Sequence, residues 1–115
     1  MNSRQLKDRQ KEIRQKRTKL WQDILQLGPF LRGSMCVLKR PCTRSSCRQC
    51  KAGAKHPTTY YSVKQHGHTK LIYLPKAVQA TAKRYIKNGD RARTLLDKLM
   101  DCDIEQLRHE ITKLK

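Results

Sequence analysis

Thr58-Thr59-Tyr60-Tyr61-Ser62-Val63-Lys64-Gln65, then His66-Gly67-His68, then Thr69-Lys70-Leu71-Ile72-Tyr73-Leu74 is the stretch on which the fold turns. Two runs rich in β-branched and aromatic residues flank a glycine-centred turn, the pattern of an antiparallel hairpin. With Gln65 facing His68, Tyr61 pairs with Ile72 and shares its face with Val63 and Leu74. That face is apolar and should point at a core. Tyr60 then lies across from Tyr73, with Ser62, Lys64 and Leu71 on the opposite face. A slip of one residue would mix the two sets, so the alternation specifies this register.

The neighbouring segments extend the hairpin into a domain. Ser34 to Lys39, with Met35, Cys36, Val37 and Leu38, reads as a further strand. Between it and the hairpin, residues 40–57 form a loop rich in Cys, Ser, Gly and charge. Pro75 is placed to start a helix, where its missing N–H does no harm. Val78, Ala82, Tyr85 and Ile86 follow at helical spacing, then Leu95, Leu96, Leu99 and Met100. Asn88-Gly89-Asp90 marks either a stop and restart or a tolerated weak point. Asp103 with Gln106 resembles a capping box. Ile104, Leu107, Ile111 and Leu114 give a stripe that needs a partner helix, for which Leu20–Leu27 is the candidate.

Residues 3–27 read as a long helix, capped by Ser3 and ended by Gly28-Pro29. Leu6, Ile13, Leu20 and Leu27 recur every seven residues, but Gln10 and Arg17 interrupt the seam. Only the second half, with Trp21, Ile24 and Leu25, is properly amphipathic. The expectation is an α+β fold. A small three-stranded antiparallel sheet with a zinc-binding loop is flanked by a long N-terminal helix and C-terminal helices. The expected divisions are a basic helical arm at 1–27, a zinc-loop and hairpin module at 28–75, and C-terminal helices at 76–115 packing on both.

The chain has 115 residues, 27 Lys plus Arg and 9 Asp plus Glu, a formal charge of +18. Solubility alone suggests a magnitude of roughly 2–8 for a small domain. Hydrophobic residues are 37% and aromatics 5%, so the core is small and a deep enzymatic pocket is not expected. No apolar run is long enough to span a bilayer, and no secretory signal is visible.

The charge is uneven. Residues 1–20 carry eight basic and two acidic residues, residues 24–89 carry thirteen basic and none acidic, and residues 90–115 carry six of each. Self-repulsion on that scale is relieved by an anionic partner, and nucleic acid is the commonest. A membrane surface would require bulky apolar residues opposite the charge, and residues 1–19 offer only Met1, Leu6 and Ile13.

Cys42, Cys47 and Cys50 have the spacing C-x4-C-x2-C, with His56 six positions beyond the last. Three thiolates and an imidazole suit a tetrahedral structural zinc ion, and neighbouring cations favour the thiolate form. Cys36 is the alternative fourth ligand. Cys36 and Cys102 otherwise fall on apolar stripes and suit a core. A small core needs such a staple.

An enzyme is not expected. Metal-dependent nucleases need clustered carboxylates, and residues 24–89 have none. His66-Gly67-His68 with Tyr85 invites comparison with single-strand nickases, but their histidine pair lies in a sheet and this one spans a turn.

Gly33-Ser34-Met35-Cys36-Val37-Leu38-Lys39-Arg40-Pro41-Cys42, the Cys47/Cys50 pair, His56-Pro57, Tyr60-Tyr61 and Tyr73-Leu74-Pro75-Lys76 carry a resemblance. The chain resembles, over residues 28–101, a family of small basic bacterial proteins of unknown function associated with transposons and other mobile elements. It departs from that pattern in the two residues between Cys47 and Cys50 and in lacking a glycine after His56. The resemblance implies a zinc-bearing accessory protein acting on DNA or a ribonucleoprotein, and names no reaction.

The functional expectation is a non-catalytic nucleic-acid-binding protein, DNA favoured over RNA, in the cytoplasm on a nucleoid or ribonucleoprotein, or in the nucleus of a eukaryote. Lys39, Arg40, Arg44, Arg48, Lys51, Lys55, Lys64 and Lys70 are the expected phosphate contacts of the module. Arg4, Lys7, Arg9, Lys11, Arg14, Lys16, Arg17 and Lys19 form a second arm. Tyr60 and Tyr73 are candidate base-stacking residues, or simply a cross-strand pair. The alternative is an interaction subunit docking on a larger nuclease, recombinase or transposase through Ile104, Leu107, Ile111 and Leu114.

Overall fold

The structure, a computed structural model, describes residues 2–40 and 56–114, with Arg40 and His56 described for their backbone only. The elements are α1 (Ser3–Leu25), β1 (Ser34–Arg40), β2 (His56–Gln65), β3 (His68–Tyr73) and α2 (Lys76–Lys113). This is an α+β protein with a three-stranded antiparallel sheet in the order β1-β2-β3 and two helices. Among the described residues, no helix is long and apolar enough to cross a membrane. The chain divides into two compact units, Leu31–Lys87 and a second made of Met1–Phe30 with Asn88–Lys115. α2 contributes to both.

In the unit Leu31–Lys87, the hairpin has the register that the alternation predicts. Gln65 pairs with His68, Tyr61 with Ile72 and Tyr60 with Tyr73. The turn has two residues, with His66 at φ 54° and Gly67 at φ 79°. Two successive positive φ angles are the signature of a type I′ turn, whose twist matches that of the strands. β1 adds to the other side of β2, with Met35 opposite Tyr61 and Cys36 opposite Tyr60.

The core of this unit is Tyr61, Leu74 and Ala82, with Leu31, Met35, Val63 and Ile86 packed against it. Tyr61 brings a hydroxyl into this apolar setting, and donates it to the Arg32 carbonyl oxygen. Burial pushes the phenol pKa up, and the nearby Arg32 charge partly opposes that rise. Tyr61 therefore stays neutral and remains a donor at physiological pH.

The second unit is a helical hairpin. Asn2, not Ser3, caps α1: its side chain accepts from the Gln5 N–H at 2.9 Å, and Gln5 Oε1 accepts from the Asn2 N–H at 3.1 Å. Asn caps by the same chemistry as Ser, and Gln5 at the third helical position completes the reciprocal box. Gly28, at φ 76°, turns the chain away after α1.

α2 is one continuous helix of 38 residues. The sequence offered a break at Asn88-Gly89-Asp90 and a new cap at Asp103, and neither occurs. Asp103 instead accepts from Arg17 Nε at 2.9 Å. The Asn88 amide donates to the Leu27 carbonyl at 2.8 Å and to the Pro29 carbonyl at 3.0 Å. The side chain that normally competes with the helix backbone is thus spent on the end of α1, and Gly89 alone costs too little to stop the helix. Asn88→Ala is expected to destabilise the hairpin by about 1–3 kcal/mol through two lost hydrogen bonds. Urea unfolding followed by helical circular dichroism checks this.

These contacts make α1 and the later part of α2 antiparallel. Ile13 and Ile24 are buried on α1, and Ala92, Leu99, Cys102 and His109 on α2. The stripe expected to meet Leu20–Leu27 is therefore not the buried one. Ile104, Leu107, Ile111 and Leu114 stay exposed, because α1 lies against the neighbouring face.

His109 is only 1% exposed, yet neither ring nitrogen has a hydrogen-bond partner among the described residues. An unpaired buried imidazole opposes folding. His109→Leu keeps a comparable bulk and removes the orphaned nitrogens. It is expected to stabilise the hairpin by about 1 kcal/mol, read as a rise in melting temperature.

Candidate nucleic-acid interface

The acid-free stretch 24–89 and the compact unit Leu31–Lys87 nearly coincide. Among the described residues of this unit nine are basic and none is acidic, so its cations have no carboxylate there to neutralise them. Lys39, Lys64 and Lys70 are all exposed. Lys70 Nζ donates to Gln65 Oε1 at 3.1 Å, and Arg32 Nη2 donates to the Lys64 carbonyl at 3.2 Å.

The sheet does not gather its predicted cations on one face. Lys39 is opposite Pro57 and Lys70 opposite Val63, so both share the side of Tyr61. Lys64, opposite Thr69, is on the side of Tyr60. Successive side chains alternate across a strand, so neighbours of opposite parity diverge. Lys64 and Lys70 instead bracket the hairpin tip, along with the exposed His66 and His68.

A further basic row, outside the expected phosphate contacts, lies on α2. Lys76, Lys83 and Lys87 are exposed and recur at helical spacing, about 100° around the helix from Ala82 and Ile86. They span about 16 Å of helix. Arg84 lies beside the row with its guanidinium 5.7 Å from the Tyr85 ring centre. Their sequence signal is membership of the acid-free stretch 24–89.

On the outer face of the sheet, Tyr60 and Tyr73 meet edge to face, with ring centres 6.2 Å apart and planes at 72°. Half-buried Cys36 and Leu38 share that face on β1. The contact is a cross-strand pair, and it leaves Tyr73 more than half exposed.

In the helical hairpin, Arg4, Lys7, Lys11 and Arg14 are exposed at steps of three and four residues and form one row along α1. Lys16 is also exposed, and Arg9 is half-buried. Arg17 and Lys19 are engaged in ion pairs with Asp103 at 2.9 Å and Asp23 at 3.0 Å. Such exposed pairs are weak and leave both cations available.

Cys42, Cys47 and Cys50 lie outside the described residues, as do Arg44, Arg48, Lys51 and Lys55. The described backbone does fix the base of their loop. Arg40 and His56 are ladder partners, which sets His56 beside the start of the cysteine segment. Cys36 pairs with Tyr60, four residues further from the loop, or about 13 Å along the strand. Among the described residues, no group of three His, Cys, Asp or Glu side chains is placed to hold a metal. Cys36 and Cys102 are free thiols, the latter buried as its apolar stripe suggests.

Comparison with protein-family models, with curated proteins and with solved structures gave no match.

Proposed function

We propose that this chain is a non-catalytic nucleic-acid-binding protein, DNA favoured over RNA, acting as a zinc-stabilised accessory factor of a mobile element or other nucleoprotein complex. The observation that carries this reading is that the described residues of the unit Leu31–Lys87 include nine cations and no acid, within a stretch that has no acidic residue from 24 to 89. A polyanion neutralises such a unit and releases its own condensed counterions, which drives binding without reference to base sequence. Lys76, Lys83, Lys87, Lys64 and Lys70 supply point charges, and the row Arg4, Lys7, Lys11 and Arg14 supplies a second track. Tyr73 offers a ring on which an unpaired base can stack. The cytoplasmic nucleoid or a ribonucleoprotein is the setting this implies, or the nucleus in a eukaryote.

Zinc belongs to the same proposal. Cys42, Cys47, Cys50 and His56 would hold the ion, and the Arg40–His56 ladder pair supports His56 over Cys36 as the fourth ligand. The ion would tie down the loop that carries Arg44, Arg48, Lys51 and Lys55. Native mass spectrometry should find one zinc per chain. A zinc-free chain that melts at the same temperature as the native one would remove the staple.

The direct test is a salt-titrated comparison of duplex DNA, single-stranded DNA and folded RNA. The expected result is tight binding at low salt with a steep linear fall of log affinity against log salt. A flat salt dependence, or no binding to any of the three, would overturn the reading.

A further inference from the structure

The part of α2 in the helical hairpin carries two apolar stripes. One, through Ala92, Leu99, Cys102 and His109, is buried. The other, Met100, Ile104, Leu107, Ile111 and Leu114, is bare, with each residue between 42% and 87% exposed. At roughly 100° per residue the two stripes lie about 140° apart around the helix, so one neighbour cannot cover both.

The bare stripe has the grammar of a two-stranded seam. Its residues alternate in steps of four and three, which are the a and d positions of a heptad. Ile104 and Ile111 occupy a, and Met100, Leu107 and Leu114 occupy d. β-branched residues at a with leucine at d favour two parallel strands over higher assemblies. The preceding a and d positions, Asp97 and Arg93, are polar, so the seam ends where the bare stripe ends.

Charge selects the occupant. In this frame Asp103 is a g residue and Arg108 the following e residue. Side by side in parallel, two copies bring Asp103 of each against Arg108 of the other, twice by symmetry. An antiparallel pair would set Asp103 against Glu110, which repel and offset the attraction of Asp101 for Arg108, so the parallel pair gains more. Asp103 Oδ1 accepts from Arg17 Nε, and the carboxylate's second oxygen can accept another hydrogen bond. Residues 90–115 carry six charges of each sign, so this segment of two copies can meet without net repulsion. The helix is already ordered by its hairpin, so association does not bear the cost of nucleation.

We propose that a second copy of this chain covers the stripe Met100–Leu114 in a parallel two-stranded seam, joining two α1–α2 hairpins into a four-helix assembly. The seam is about 22 Å long, short enough for the pair to separate on dilution.

The test uses the full chain, nuclease-treated and in high salt, so that no polyanion bridges copies. Sedimentation should show a monomer–dimer equilibrium that shifts with concentration. Leu107→Lys should raise the dissociation constant at least tenfold with helical circular dichroism unchanged, because Leu107 is exposed in the single chain. Ile104→Gln repeats the test should the lysine variant lose helicity. Strand direction is read with Leu114→Cys under mild oxidation with diamide. A parallel seam brings the two new thiols together and gives a disulfide-linked dimer that the unsubstituted chain does not. A monomer at millimolar concentration overturns the proposal. So does a dimer insensitive to both seam variants, a dimer without the Leu114→Cys cross-link, or a monomer that uses the stripe to bind a different polypeptide.

Discussion

Replacing Gly33 with alanine is expected to destabilise the unit Leu31–Lys87 by about 3 kcal/mol. Gly33 has φ 103°, where a side chain is strained. A Cβ built there would stand 2.3 Å from the Ser62 carbonyl oxygen, 3.0 Å from the Tyr61 ring and 3.2 Å from Val63 Cβ. None of these neighbours yields cheaply. Ser62 is held between Ser34 and Leu71 in the ladder, and the Tyr61 ring is in the core. The entry of β1 into the sheet must therefore shift. Gly28→Ala is the internal control, because Gly28 has φ 76° but nothing within 4 Å of its would-be Cβ. It should lose only the conformational part, about 1 kcal/mol. Urea unfolding of both variants separates the two contributions. Equal losses would mean that the close approach at Gly33 is not tight.

The second large effect concerns charge. Neutralising Lys76, Lys83 and Lys87 together with glutamine is expected to weaken nucleic-acid binding roughly a hundredfold near 0.1 M salt, at about 1 kcal/mol for each lost phosphate contact. The salt slope should flatten by about 0.9 for each contact removed, and equally for all sequences tested. The companion triple, Lys39, Lys64 and Lys70 to glutamine, should do less. Those cations are split between the two sides of the sheet, and one flat ligand cannot engage all three. Binding isotherms across a salt series check both variants. Unchanged slopes in both would remove the proposed α2 row and the hairpin tip from the interface.

Other features were legible to different depths. The hairpin register could be read because a glycine turn and a period of two leave one arrangement that keeps Tyr61, Val63 and Leu74 together. The same parity separates Lys64 from Lys70, which face opposite sides of the sheet. The cap of α1 moved by one residue because Asn2 and Ser3 are equally able to cap, and the position of Gln5 decided between them. The continuity of α2 was not legible. Asn88 looks like a helix breaker until the Leu27 and Pro29 carbonyls, just after α1, come close enough to accept its two hydrogens.

From the sequence alone came everything that depends on local periodicity or on counting. That covers the three strands and the register of the hairpin, the existence of two helical regions, and a central stretch without carboxylates. Tertiary structure alone decided which of two stripes on α2 meets α1, why Gly33 must be glycine, and that the sheet and the first turns of α2 form a unit apart from the helical hairpin. The reason is one of range. Alternation and spacing are set by neighbouring residues, whereas a carbonyl 2.3 Å from a missing Cβ, or a side chain bonded to a carbonyl 61 residues away, exists only once distant segments meet.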